Sequence, residues 1–384
     1  MVDVAEEEEG GSSSSCCTSC CARLFASWTQ HEILTLTTRG ASCFSIAVLL
    51  FEVLAYNLVF LGKVLPAAGK ESLVVPCLAL FDSLWLMTMW SYVQAQLTDP
   101  GQVPDRWHAF VEESRDNMSV VAPRVAPPGW QPGKATHCKK CTRPRPERAH
   151  HCAVCGHCVL RYDHHCPWIN NCVGLHNHKF FVLLSIYGWL SSFVFLSTTL
   201  PQLVQCIGSF IHPPDDPDLA AKRLSIGDFV IFVISICFGM MVMGLLTMLM
   251  SIHLPLATKN LTTVEDYYDN MPNPFDQGDH AANLAQIFGA YGPDWVIPIR
   301  PLRPLADGVV FPRHDDFRGS DGLPDGIRGK NAREIEDLWK VRYHTRLALP
   351  MDGDGASLLT TATASLARWW KSASGQHEAA LLTT

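Results

Sequence analysis

Charge is scarce in this chain. Asp, Glu, Lys and Arg make up 17% of its 384 residues, below the roughly 25% usual in soluble globular domains. The formal net charge is −7, and no stretch is basic enough to make phosphate binding a main theme, which argues against a nucleic-acid partner. A secretory leader is not expected either, because Glu6 to Glu9 stand where a positively charged start is needed. No internal repeat is found. What the chain has in quantity is apolar surface: 48% of residues are hydrophobic and the mean hydropathy is +0.09. That mix points to a membrane protein with polar regions attached.

Four stretches reach the roughly 20 residues that a helix needs to cross a bilayer. They run from about Ala41 to Leu61, Leu73 to Ala95, Phe180 to Ile207 and Gly227 to Leu254. Lys and Arg set their orientation. Two lie between spans one and two and two between spans three and four, against ten between spans two and three (Arg148 and Arg161 among them), with Lys179 at the membrane edge, and thirteen after span four. Both termini and the middle insert are therefore expected on the cytosolic side. Two acids, Glu52 and Asp82, interrupt the first two spans; an intramembrane acid raises a functional hypothesis, although a hydrogen bond to a neighbouring helix explains either as well. The methionines of span four (Met240, Met241, Met243, Met248, Met250) read as adaptable packing, and Trp85, Trp90 and Trp189 as interfacial anchors or packing residues.

Outside the spans, residues 1–23 read as an acidic, serine-rich disordered arm. Residues 119–134 carry Pro123, Pro127, Pro128 and Pro132 and read as a linker. A short helix is expected over 281–289, loop over 313–330, a helix over about 332–346 and a mobile end after it.

The chain has 15 cysteines, seven of them between Cys138 and Cys172, and eight of its 16 histidines fall between His137 and His178. A disulfide framework suits a short secreted chain; here the interleaved histidines point to metal or catalysis. The pairs 138/141, 152/155 and 155/158 share the spacing that lets two thiolates of one tight turn reach the same zinc ion. Two closed tetrahedral sites need eight ligands. Three cysteines and a histidine at each leave one cysteine free, whereas four at one and three plus a histidine at the other leave none. Spacing does not decide between these. Local chemistry favours a free thiol at Cys166, because Asp163, His164 and His165 precede it and supply a base and a carboxylate to orient it.

With Asp163-His164-His165-Cys166 inside this cysteine-rich segment, the sequence resembles the DHHC family of protein S-acyltransferases, or palmitoyltransferases. Asp99-Pro100-Gly101 looks like the family's DPG motif, Thr262-Thr263-Val264-Glu265 like its TTxE motif, and Asn273 to Gly289 like its C-terminal conserved region. The resemblance covers about residues 40 to 290. It implies an all-α polytopic membrane protein of four transmembrane helices with a cytosolic zinc-binding domain between helices 2 and 3. The segments expected are an N-terminal arm (1–39), helices 1 and 2 (40–98), the cytosolic segment (99–178, zinc core 136–172), helices 3 and 4 (179–255), the TTxE and C-terminal region (256–300) and a variable tail (301–384).

The same resemblance implies one structural zinc on Cys138, Cys141, His151 and Cys158, and a second on Cys152, Cys155, His165 and Cys172. Cys166 is then the nucleophile, His164 its base and Asp163 the residue that orients the imidazole. Palmitoyl-CoA is the implied acyl donor, and membrane-proximal cytosolic cysteines of other proteins the acceptors. Thr263 is implied to bond the DHHC acid, Asn283 to pin the C-terminal region to the membrane domain, Trp168 to pack on the acyl chain, and Ser191 to lie at the closed end of its cavity. Lys139, Lys140 and Arg143 are candidate partners for the CoA phosphates. Cys16, Cys17, Cys20 and Cys21 are open to acylation, metal binding or neither. The expected location is an endomembrane, Golgi or ER. Two rivals are a membrane-anchored RING-like module, whose ligand spacing differs, and a transporter, which needs no thiol.

Overall fold

The computed structural model describes residues 30–118, 120–121, 133–211, 224–268, 272–313, 327 and 329–343. The four cysteines of the N-terminal arm, most of the proline-rich linker and most of the expected loop over 313–330 lie outside the described residues.

Among the described residues four helices are long and apolar enough to cross a membrane: His31–Ala67, Glu71–Leu97, His178–Gly208 and Ile226–Thr258. Each includes its expected span and extends beyond it at both ends. The first departs most. Its α-helical part, α1 (Gln30–Leu54), begins inside the expected arm, because His31 Nε2 pairs with the Val154 carbonyl of the insert at 3.1 Å. It then loosens into a π-helical stretch over Ala55–Val64. The second span contains α2 (Val74–Leu97). A short helix, α3 (Asp105–Glu113), opens the insert, and α4 (His178–Ile211) and α5 (Ile226–Thr258) form spans three and four. After them come α6 (His280–Phe288), at the place expected for a short helix, and α7 (Ala332–Tyr343).

Helix α4 packs between α2 and α5. At the end of the bundle away from the insert, aromatic rings fill the space between the helices. Tyr56 lies 4.0 Å from Phe81 between ring centres, and Phe60 stacks on Phe232. The two intramembrane acids part company here. Asp82 accepts a hydrogen bond from Asn57 Nδ2 at 3.0 Å across helices, which explains it as packing polarity; Glu52 is buried and its Oε1 has no hydrogen-bond partner among the described residues.

Among the described residues all seven strands lie in the insert and are two to four residues long, since two metal-ligand quartets leave little room for regular structure. Strands β1 (Val120–Val121), β2 (Ala135–Cys138) and β3 (Arg143–Arg145) form one sheet. Strands β4 (His150–His151) and β5 (Cys158–Val159) make a hairpin, as do β6 (His164–Cys166) and β7 (Asn171–Val173). In the last hairpin His165 faces Cys172 and Cys166 faces Asn171.

The insert is tied to the end of span two by side chains that occupy the orphan carbonyls of a helix C-terminus. Asn171 Nδ2 donates to the carbonyls of Ala95, Gln96 and Thr98, and Asn177 Nδ2 to those of Ala95 and Cys172. The Asp99-Pro100-Gly101 turn completes the junction. Asp99 Oδ1 accepts from the amides of Gly101 and Gln102, and the Gly101 carbonyl accepts from Leu160 N at 2.7 Å. Gly101 has φ +111°, and a Cβ there would lie 3.3 Å from that of Leu175, so only glycine fits without strain.

Two parts of the tail fold onto the insert, one of them the helix expected over about 332–346. Trp339 and Tyr343 of α7 pack on Trp107 of α3, with ring centres 6.1 and 4.9 Å away. The Tyr343 hydroxyl accepts from Glu147 N, and Trp339 Nε1 donates to Asp307 at 2.7 Å. Burial of three large aromatics explains why the chain returns here.

Candidate active site

Strand β6 carries the DHHC residues to where the insert meets the helices. Asp163, just before it, is 2% exposed, and its carboxylate is the hub of the site. His164 Nδ1 lies 2.6 Å from Asp163 Oδ2. Thr263 N and Thr263 Oγ1 donate to Oδ1 and Oδ2 at 2.8 and 3.0 Å. His253 of α5 approaches the same Oδ2 at 3.5 Å, and its ring centre lies 5.0 Å from that of His164. Burial alone would raise the carboxyl of Asp163, but the His164 hydrogen bond and the surrounding imidazoles outweigh it and hold the group well below its usual range. For His164, burial works downward, while hydrogen bonds with Asp163 and the Cys166 thiol push it up to about 9.

Cys166 is buried, 3% exposed, and lines an apolar cavity of about 320 Å³ between the helices. The cavity runs from Trp168 and Tyr92 at the Cys166 end to Glu52, Ser191 and Ser192. Tyr92 fixes the mouth: its hydroxyl bonds the Trp168 carbonyl at 2.9 Å and Ser42 Oγ at 2.9 Å. Trp168, 39% exposed, forms part of the rim. Trp168 and Ser191 both line this one cavity.

The two expected ligand quartets assemble separately. Cys138, Cys141, His151 and Cys158 converge at one point, and Cys152, Cys155, His165 and Cys172 at another, each set of donor atoms within 4.8 Å of one another. Around a tetrahedral ion with metal–sulfur bonds of about 2.3 Å, sulfurs lie about 3.8 Å apart. Cys141 and Cys158 sulfurs are 3.7 Å apart, those of Cys155 and Cys172 3.4 Å, and His165 Nδ1 lies 3.4 to 3.7 Å from its three thiols. The amides of Cys141 and Cys155 point at the Cys138 and Cys152 sulfurs at 3.4 Å. Both quartets fit a metal ion held by three sulfurs and one nitrogen. Cys166 belongs to neither group. Lys139 and Lys140 sit exposed on the turn of the first quartet, with Arg143 in β3 beside it.

Sequence reasoning missed the residues that bind these parts together. Arg148, read only as one of many basic residues, is fully buried. Its guanidinium clasps both oxygens of Glu265 at 2.7 Å, bonds the side chain and carbonyl of Asn260, and lies against the rings of Phe275 and Phe311. Arg161 bonds His178 Nδ1 and Asn260 Oδ1. Arg148, Arg161 and Asn260 all adopt positive φ, between 44 and 60°, a conformation non-glycine residues enter at a cost. Lys179, read as a membrane-edge charge, is buried with its Nζ on the Asp294 carbonyl at 2.6 Å. Asn283, which the resemblance had already marked, bonds the Thr258 carbonyl at the end of α5 and the Asp276 carboxylate. His253 had no signal in the sequence, since a single histidine in an apolar span carries no motif.

A family model described as DHHC palmitoyltransferase matches residues 131–270. Probable protein S-acyltransferase 13 of Arabidopsis thaliana is 35% identical over 259 residues, covering 66% of this chain and 82% of its own. Probable protein S-acyltransferase 14 of the same plant is 32% identical over 272 residues, covering 67% and 84%. Human palmitoyltransferase ZDHHC20 is 30% identical over 254 residues, covering 61% and 66%. These alignments reach well beyond the four-residue motif, and together with four spanning helices and paired Cys/His quartets between the second and third they establish that this chain belongs to the DHHC palmitoyltransferase family.

Proposed function

We propose that this protein moves a long-chain acyl group, palmitoyl first among them, from acyl-CoA through a thioester on Cys166 to cysteines of membrane-associated proteins. The observation that carries the reading is the position of Cys166: a thiol outside both metal quartets, next to His164, and lining an apolar cavity among the helices. In the first half-reaction His164 holds the Cys166 proton as imidazolium, and the thiolate attacks the thioester carbonyl of acyl-CoA. The C–S bond to CoA breaks and its thiolate leaves with a proton from the imidazolium. In the second, a substrate cysteine attacks the acyl-enzyme and Cys166 is released. Asp163 orients the imidazole and stabilises its charge, and Thr263 orients Asp163.

The cavity removes the acyl tail from water, which matters at about 0.8 kcal/mol per methylene. Zinc suits the two quartets, and bound there it would hold the short hairpins in register; with four protein ligands each, neither site has an open position for chemistry. Trp168 packs on the chain near the thioester and Ser191 leaves room for its far end. Lys139, Lys140 and Arg143 are offered to the CoA phosphates, and Asn283 fastens the C-terminal region to α5. The basic-residue bias supports a cytosolic active site with both termini on that side, in an endomembrane of the Golgi or ER. Incubation of purified protein with radiolabelled palmitoyl-CoA should give a hydroxylamine-sensitive label that Cys166→Ala abolishes. Undiminished labelling of that variant would reject the assignment.

A further inference from the structure

On α1, the side chains of Ser45, Val48, Leu49 and Glu52 line the cavity, a spacing that puts them on one helical face. Glu52 is the single carboxylate in that lining, and no Lys, Arg or His accompanies it. The residue is 5% exposed, and its Oε1 is buried with no hydrogen-bond partner among the described residues. Two hydroxyls of the lining are committed elsewhere: Thr88 donates to the Leu84 carbonyl at 2.8 Å and Ser185 to that of Phe181 at 2.9 Å. A buried acceptor left without a donor costs free energy, and here it belongs to the wall of a cavity otherwise suited to hydrocarbon.

Its depth can be read along the helix. Ser42, bonded to the same Tyr92 hydroxyl that holds the Trp168 carbonyl, marks the level of the Cys166 end. Ten residues further, Glu52 lies about 15 Å deeper. An extended hydrocarbon chain, with C–C bonds of about 1.5 Å at about 111°, advances about 1.25 Å per carbon, so that depth corresponds to about carbon 12. A carboxyl group accepts a hydrogen bond in either protonation state. What complements it at that depth is a hydroxyl on the acyl chain.

We propose that Glu52 is a polar subsite of the acyl cavity and that the enzyme selects long acyl chains bearing a hydroxyl in their outer part. This rests on the reading of the cavity as the acyl site. The unsubstituted chain leaves Glu52 unpaired against methylenes; the hydroxylated chain restores its bond.

The test is competition between hexadecanoyl-CoA, 12-hydroxyhexadecanoyl-CoA and 16-hydroxyhexadecanoyl-CoA for the full-length protein in lipid nanodiscs, with the Cys166 adduct read by intact mass. The wild type should favour at least one hydroxylated chain over the plain one. In Glu52→Leu that ratio should fall about tenfold, the loss of one hydrogen bond to a buried group, while Glu52→Gln, which keeps an acceptor oxygen, should retain most of it. A wild type that favours the plain chain overturns the proposal whether or not the variants fold, and so does an equal ratio in wild type and Glu52→Leu. If none of the three donors, plain chain included, forms an adduct, the acyl-transfer reading itself falls.

Discussion

Thr263 and Asp163 are 100 residues apart, yet Thr263 gives the Asp163 carboxylate both its amide and its hydroxyl, one to each oxygen, at 2.8 and 3.0 Å. The link couples the segment after span four to the motif in the insert. A hydrogen bond to a charged group is worth about 1.5–3 kcal/mol, and about 1.4 kcal/mol is a factor of ten in rate. Thr263→Val, which keeps the amide but loses the hydroxyl, should slow acyl-enzyme formation about tenfold with metal content unchanged. Quenched-flow labelling beside metal analysis checks both. An unchanged rate would leave Asp163 oriented by other means.

The Arg148–Glu265 pair, with both side chains at most 1% exposed, should behave as buried pairs do. Removing one partner strands a charge and typically costs about 3–5 kcal/mol. Arg148→Met and Glu265→Leu are each expected to lower the melting temperature in nanodiscs sharply. The double variant should recover part of the loss. A double variant as poor as the sum of the singles would mean that the bonds from Arg148 to Asn260, rather than the ion pair, dominate.

What was legible in the sequence follows from how local each signal is. Spans are runs of apolar residues, and metal ligands sit in short paired spacings, so both could be read before any fold was known. Arg148, Arg161 and Lys179 could not: their partners lie 112, 99 and 115 residues away, and a buried arginine looks in sequence like an exposed one. In the tail the helix was legible but its packing was not. Its glycines and aspartates dominate the local composition, while its anchors, Trp339 and Tyr343, are two residues whose partner Trp107 lies in another segment. Glu52 was visible as an intramembrane acid, but only the cavity distinguishes it from Asp82.

That tail contact gives a stability prediction. Replacing a buried tryptophan with alanine commonly costs about 3–5 kcal/mol, so Trp339→Ala should detach α7 from α3. The expected result is faster amide exchange over Asp105–Glu113 and Ala332–Tyr343, with exchange in α4 unchanged. Equal exchange in wild type and variant would show that Tyr343 alone suffices to hold the contact.

Orientation is open to a direct check. A glycosylation acceptor placed at the exposed Asp116, or in the tail at residue 320, should remain unmodified when the protein is made in the presence of ER membranes. A glycan at either position would invert the topology and move Cys166 away from cytosolic acyl-CoA.

The adjacent histidines of the motif supply the most discriminating test, because one belongs to a metal quartet and the other does not. His165 Nδ1 points among Cys152, Cys155 and Cys172, whereas His164 Nδ1 faces Asp163. Cys166 belongs to neither quartet. Cys166→Ser swaps the thiol for a hydroxyl that is hardly ionised at neutral pH and is a far poorer nucleophile; it should abolish the acyl-enzyme and leave two zinc ions per chain. His164→Ala should match it, with zinc retained and acylation greatly reduced. His165→Ala should instead lose one zinc and much stability, since structural zinc contributes on the order of 10 kcal/mol to folding; Cys155→Ser and Cys158→Ser should follow that pattern, one at each site. Native mass spectrometry for metal, run beside acyl-CoA labelling, separates the two classes. Loss of a zinc ion from Cys166→Ser would make Cys166 a ligand and remove the nucleophile from the mechanism.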